Sequence, residues 1–124
     1  MSRAASTPWL LEAIKRIEQT GEEAQRAIGA GVASMEGARE RLLAGMPVSQ
    51  VVGDLIAQGG REARLRSAAA IEAYEHAVMM YRVALIRAMV DEESLNFAQV
   101  ARRMGVSRQM IARLYRYDES RALA

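Results

Sequence analysis

A chain of 124 residues, half of them apolar, holds enough material for one small domain, or one domain with an appendage, and is too apolar for global disorder. It has no cysteine, so disulfides and cysteine-based zinc sites are excluded and a reducing compartment fits. The net charge of +2 hides an asymmetry: from Ser94 onward six arginines face only Asp118 and Glu119, which leaves eleven basic against thirteen acidic residues in 1 to 93.

No signal peptide is expected in the first residues, because the apolar run Trp9-Leu10-Leu11 is broken at once by Glu12. No window approaches the roughly 20 apolar residues that a membrane span needs. A soluble, cytoplasmic and nucleoid-associated protein is expected. Thr7-Pro8 reads as a helix N-cap followed by proline in the first helical position. From there Leu10, Ile14, Ile17, Gly21, Ala24, Ile28, Gly31, Met35, Ala38 and Leu42 recur at alternating spacings of four and three. That is a heptad seam, and it predicts a long helix that packs along its length. Several seam residues are small enough to let a neighbouring helix approach closely. Glycines at 29 and 31 leave open a break into two helices there.

Gly45-Met46-Pro47 ends the segment, since proline cannot continue a helix unbroken. A short amphipathic helix is expected from Val48 to Ala57, with Val51, Val52, Leu55 and Ile56 on one face and Gly59-Gly60 after it. A third helix then runs from near Arg61 to Glu93. Its apolar line is Ile71, Tyr74, Val78, Tyr81, Leu85 and Ala88 or Met89. The first and third helices would each be about 50 Å long. They are expected to pair as a hairpin, or as a coiled coil with the same helices of a second chain.

The densest set of local signals lies from Asn96 to Arg116. Asn96 is a good N-cap, Gln99 completes a capping box, and Leu95 and Val100 stand in the positions of a hydrophobic staple. A helix from Phe97 to Met104 should therefore end at Gly105, where the chain needs a left-handed residue. Ser107 caps a second helix that extends to Arg116, and Val106 and Ile111 are spaced as a second staple. Two short helices joined by such a turn are the signature of a helix-turn-helix. They cannot bury a core alone, so the last part of the third helix, from Val78 to Val90, is expected to complete a trihelical head. This divides the all-α chain into a helical dimerisation or interaction region over 1–77 and a head over 78–124, joined by the helix shared between them.

Residues 97 to 116 resemble the helix-turn-helix of bacterial and phage transcriptional regulators of the trihelical kind. Small Ala101, Gly105 in the turn, and Val100, Met104, Val106, Ile111 and Leu114 carry the resemblance, which spans about a third of the chain with the supporting helix included. It implies that the second helix enters the DNA major groove. Helical geometry turns Ile111 and Leu114 inward, leaving Ser107, Arg108, Gln109, Ala112, Arg113 and Arg116 outward. Arginine can pair with guanine O6 and N7, and glutamine with adenine N6 and N7, so Arg108, Gln109 and Arg113 are the expected base readers. Gln99, Arg102, Ser107, Tyr115 and Arg116 are expected at phosphates, which set position without carrying sequence information. The local positive charge agrees with a phosphate-binding module.

Other chemistry is thin. His76 is the only histidine, and Gly29-Ala30-Gly31 lacks the preceding strand and the Gly-Lys-Ser/Thr of a phosphate loop. Glu22-Glu23 and Asp91-Glu92-Glu93 read as solvated faces, although the second run lies at a helix C-terminus, where the macrodipole disfavours it. The methionines read as core filling. No enzyme, cofactor or metal is expected. The expected partners are double-stranded DNA and a second copy of the chain bound through the N-terminal helices. The alternative is a helical interaction or assembly protein, whose basic helix pair serves packaging or scaffolding, or a regulator that senses an effector between its long helices.

Overall fold

The computed structural model describes residues 3–117, with side chains from Ser6 onward. The chain is all-α, in the order α1 (Arg3–Leu43), α2 (Val48–Ala57), α3 (Gly60–Asp91), α4 (Phe97–Met104) and α5 (Arg108–Tyr115). Two compact units emerge. One comprises residues 18–75; the other combines 3–17 with 76–117, so the first turns of α1 group with the head.

In the unit 18–75, α1 is unbroken through Gly29 and Gly31. The α1 and α3 segments run antiparallel. The Ser67 hydroxyl reaches the Ala27 carbonyl at 3.5 Å, and a Cβ on Gly21 would lie 3.4 Å from the Tyr74 ring. Of the seam read from the sequence, Ala24 and Ala38 are buried here and Gly21 is half-buried, whereas Ile28, Gly31, Met35 and Leu42 stay exposed. The small residues at 21, 24 and 38 suit a close approach of the chain's own helices. Gly45 (φ 91°) turns the chain out of α1, and Arg41 pairs with Asp54 of α2 at 3.8 Å. Gly59 has φ 83°, and a Cβ on Gly60 would lie 2.7 Å from the Leu55 carbonyl oxygen, so the turn into α3 accepts little but glycine at either place.

In the unit of 3–17 and 76–117, α1 begins before the expected cap and passes through Pro8. A tertiary contact outweighs the local signal here. Ser6 is only 2% exposed and its hydroxyl donates to the Glu92 carboxylate. The other Glu92 oxygen is buried with no partner among the described residues.

The head is trihelical. Val83 and Ile86 of α3, Val100 and Ala101 of α4, and Ile111 and Leu114 of α5 form one buried cluster. Met79, Met89, Val90, Leu95 and Met104 pack around it. On α3 the cluster takes buried Val83 and Ile86 with half-buried Met79, Met89 and Val90, so Met89 of the expected line packs there, whereas Val78, Tyr81 and Leu85, also half-buried, are not part of it. Around residue 80 this helix is apolar on more than one side, so spacing alone leaves its core-facing side open. Burying each of the four largest side chains (Ile86, Ile111, Val83 and Val100) contributes about 1.5 to 3 kcal/mol. Between α3 and α4, Ser94 adopts a left-handed backbone with φ 58°, at a cost of roughly 1 to 2 kcal/mol that the packed core must offset.

Candidate nucleic-acid interface

The first helix of the pair, α4, begins as its sequence requires. The Gln99 N–H donates to Asn96 Oδ1 and the Asn96 N–H donates to Gln99 Oε1, each at 2.9 Å, completing the capping box. The helix ends at Gly105, with φ 69° and ψ 33°. The Val106 N–H returns to the Ala101 carbonyl at 3.1 Å, closing the turn typical of a glycine-terminated helix. Ser107 then caps α5 by accepting the Met110 N–H at 3.1 Å. These bonds fix the direction of α5 as it leaves the turn, while Ile111 and Leu114 hold it to the core.

With that inner side fixed, the outer side follows from the 3.6-residue period. Ser107, Arg108, Gln109, Arg113 and Arg116 are exposed and Ala112 is half-buried. Arg102 and Arg103 project from the last turn of α4, where positive charge suits the helix dipole. Between 94 and 117 the chain carries five arginines and no carboxylate. Arg108, Gln109 and Arg113 thus occupy one exposed side of a single helix. Gln99 and Ser107 use one oxygen each as caps, which leaves the Gln99 amide N–H groups and the Ser107 hydroxyl proton to donate elsewhere.

Two of the expected phosphate contacts are engaged within the head. The Arg116 guanidinium lies over the Phe97 ring, 5.9 Å from its centre, and that ring packs at 5.3 Å against Tyr115. Stacking orients Arg116 while its N–H edge keeps its donors. The Tyr115 hydroxyl donates to Asp91 Oδ1 at 2.7 Å, so a phosphate there must compete with a carboxylate.

Two residues of this region escaped the sequence reading. Arg87 Nε donates to the Tyr115 carbonyl at 3.3 Å, and another of its nitrogens donates to the Tyr117 carbonyl. It therefore caps the C-terminal end of α5, where carbonyls lack helical partners and the dipole is negative. A half-buried arginine between Val83 and Val90, in the most apolar part of α3, was the available signal. Asp91 is the second. Its place at the helix end, unfavourable by dipole alone, is explained by Tyr115, as that of Glu92 is by Ser6.

The hydrogen bond to Asp91, some desolvation and the Asp91 charge hold the Tyr115 phenol above its ordinary value, against a smaller opposing effect of Arg87. Because the protonated form is the one favoured on folding, this contribution is full below the unfolded value of about 10 and is lost as pH rises through the folded value. Tyr115→Phe should therefore be less stable than the wild type at about pH 8, and the difference should shrink as pH rises beyond the ordinary phenol value of about 10. Urea midpoints measured across that range check this, and a constant gap would assign the effect to ring packing alone.

Comparison of the chain with protein-family models, with curated proteins and with solved structures finds no match.

Proposed function

We propose that this protein binds double-stranded DNA in a sequence-specific manner and acts as a dimeric transcriptional regulator. The observation that carries the reading is the two-sided character of α5. Ile111 and Leu114 lock one side into the trihelical core, and the opposite side offers Arg108, Gln109 and Arg113 to solvent with no acidic neighbour in the segment. A helix held this way presents long donors at fixed positions along a groove-sized rod, as major-groove readout requires.

In this reading Arg108 and Gln109 meet base edges at the N-terminal end of α5 and Arg113 reads one turn later. Arg102, Arg116, Gln99 and Ser107 hold phosphates, and Tyr115 adds to them where Asp91 releases it. One trihelical head covers little DNA surface. Two heads on half-sites about 34 Å apart gain enough contact for specific binding, which is why the protein acts as a homodimer joined through its N-terminal helices. No membrane role is proposed, since no helix among the described residues is long and apolar enough to cross one.

Electrophoretic mobility of random duplex DNA at two salt concentrations tests the proposal. If each head neutralises three or four phosphates, log K should fall with log salt at a slope of about −6 for the dimer. An absence of any shift at low salt would overturn the reading. It would favour instead a helical assembly protein, for which the exposed Ile28, Val32 and Met35 are the supporting observation.

A further inference from the structure

The two ends of α5 are held by different parts of the chain. At its N-terminal end the bonds are local: the Val106 N–H returns to the Ala101 carbonyl at 3.1 Å, and the Met110 N–H reaches the Ser107 hydroxyl at 3.1 Å. At its C-terminal end they come from α3. Arg87 and Asp91 stand one turn apart on that helix, so both side chains leave from one face. Arg87 Nε donates to the Tyr115 carbonyl at 3.3 Å, and a second Arg87 nitrogen donates to the Tyr117 carbonyl. The Tyr115 hydroxyl in turn donates to Asp91 Oδ1 at 2.7 Å, and its ring packs on Phe97 of α4 at 5.3 Å. Tyr115 is gripped at its backbone and at the tip of its side chain.

Such a grip does something that the core does not. Ile111 and Leu114 bury one side of α5. Apolar burial is non-directional, so it sets how deep the helix lies and leaves it some freedom to roll. Hydrogen bonds are directional, and bonds at both ends of Tyr115 oppose that roll. They act close to Arg113, which is two residues, about 3 Å, from Tyr115 along the helix axis. Arg108 is seven residues, about 10 Å, from Tyr115 and adjoins the Ser107 cap. A long side chain that ends in a bidentate fork is sensitive to any rotation at its root, because both of its bonds have to align together.

We propose that Arg87 and Asp91 are positioning residues for DNA recognition, which act through Tyr115 to aim Arg113 at its base pair and leave the aim of Arg108 and Gln109 to the Ser107 turn. The inference rests on the reading of α5 as the helix that enters the major groove. It divides that helix in two. At one end specificity is set by the local turn, and at the other it is set by α3, whose two residues touch no DNA.

Binding of the full-length protein to duplexes randomised one position at a time around a selected site tests it. Arg108→Ala and Arg113→Ala first show which base pair each arginine reads. Arg87→Met combined with Asp91→Ala removes the three bonds of the grip and leaves the sequence of α5 unchanged. This double variant should lose preference at the Arg113 pair on the order of tenfold and keep wild-type preference at the Arg108 pair. Asp91→Ala alone should move the Arg113 pair in the same direction by a smaller factor. Arg87→Lys, which keeps one donor for a carbonyl, should lose less than Arg87→Met. A merely structural role gives another pattern: unfolded heads bind no site, so lower stability reduces total binding and leaves every preference as it was. Wild-type preference at the Arg113 pair overturns the proposal, as does equal relaxation at both pairs. If the double variant binds no duplex, Asp91→Ala decides by the same two criteria. If Arg108→Ala and Arg113→Ala alter no preference, the reading of α5 itself fails and takes the proposal with it.

Discussion

Replacing Arg108 and Arg113 together by alanine should abolish site-specific DNA binding while leaving the fold intact. Both side chains are exposed and neither belongs to the head's core, so helical content and thermal midpoint are expected to stay at wild-type values. Each bidentate arginine contact to guanine contributes about 1 to 3 kcal/mol of discrimination, so a head without both loses about 2 to 6 kcal/mol, and a dimer loses this twice. Residual binding should be salt-sensitive and indifferent to sequence, because Arg102 and Arg116 remain. The control is Arg102→Ala, expected to weaken all sequences about equally and to reduce the salt slope by about one per head. Competition between a selected site and random duplex measures both. Unchanged preference in the double variant would refute the assignment of α5 as the reading helix.

The second large effect is expected far from that surface. Ile86 is fully buried and belongs to α3, yet its neighbours in the core come from α4 and α5. Ile86→Ala removes three carbons and leaves a cavity among Val83, Val100, Ile111 and Leu114, with a cost of about 2 to 5 kcal/mol. Stability per domain is of the order of 5 to 15 kcal/mol, so a large share of the head's margin would go. Hydrogen exchange locates the damage, because amide protection in α4 and α5 should fall with it. If those amides are as protected as before, α3 is not the third helix of the head. DNA affinity should fall with the fraction of folded heads, although no DNA-facing residue has changed.

What could be read from the sequence depended on how local each signal was. The bounds of α2 and α4 followed from proline, glycine and cap residues within a few positions, and the capping box of Asn96 and Gln99 has both its bonds. Thr7-Pro8 was an equally clear local signal for a helix start, and it lost to the buried Ser6 and its bond to Glu92, 86 residues away in sequence. Of the expected α3 line Met89 packs on the head's cluster and Val78, Tyr81 and Leu85 do not, because helical spacing cannot separate two adjacent apolar lines. The α1 seam lies on one unbroken helix, but only Ala24 and Ala38 of it are buried, because spacing does not say which neighbour meets which residue. The roles of Arg87 and Asp91 were invisible for the same reason, since both act on α5 across a turn and a helix. On α5, the inward placement of Ile111 and Leu114 followed from period alone, and the exposure of Arg108, Gln109 and Arg113 follows from it.

Because α3 supplies Val83 and Ile86 to the head and continues without interruption back to Gly60, the head is not a cassette. A fragment cut just before α4 would lack a third of its hydrophobic cluster, and no cut between Gly60 and Asp91 avoids opening a helix. Moving α4 and α5 onto another scaffold therefore requires a splice inside α3, in phase with its helical period. A splice shifted by two residues would rotate Val83 and Ile86 by about 200° and turn them away from α4 and α5. Under the proposed reading, specificity is exchanged at single positions of α5, but the supporting helix has to travel with it.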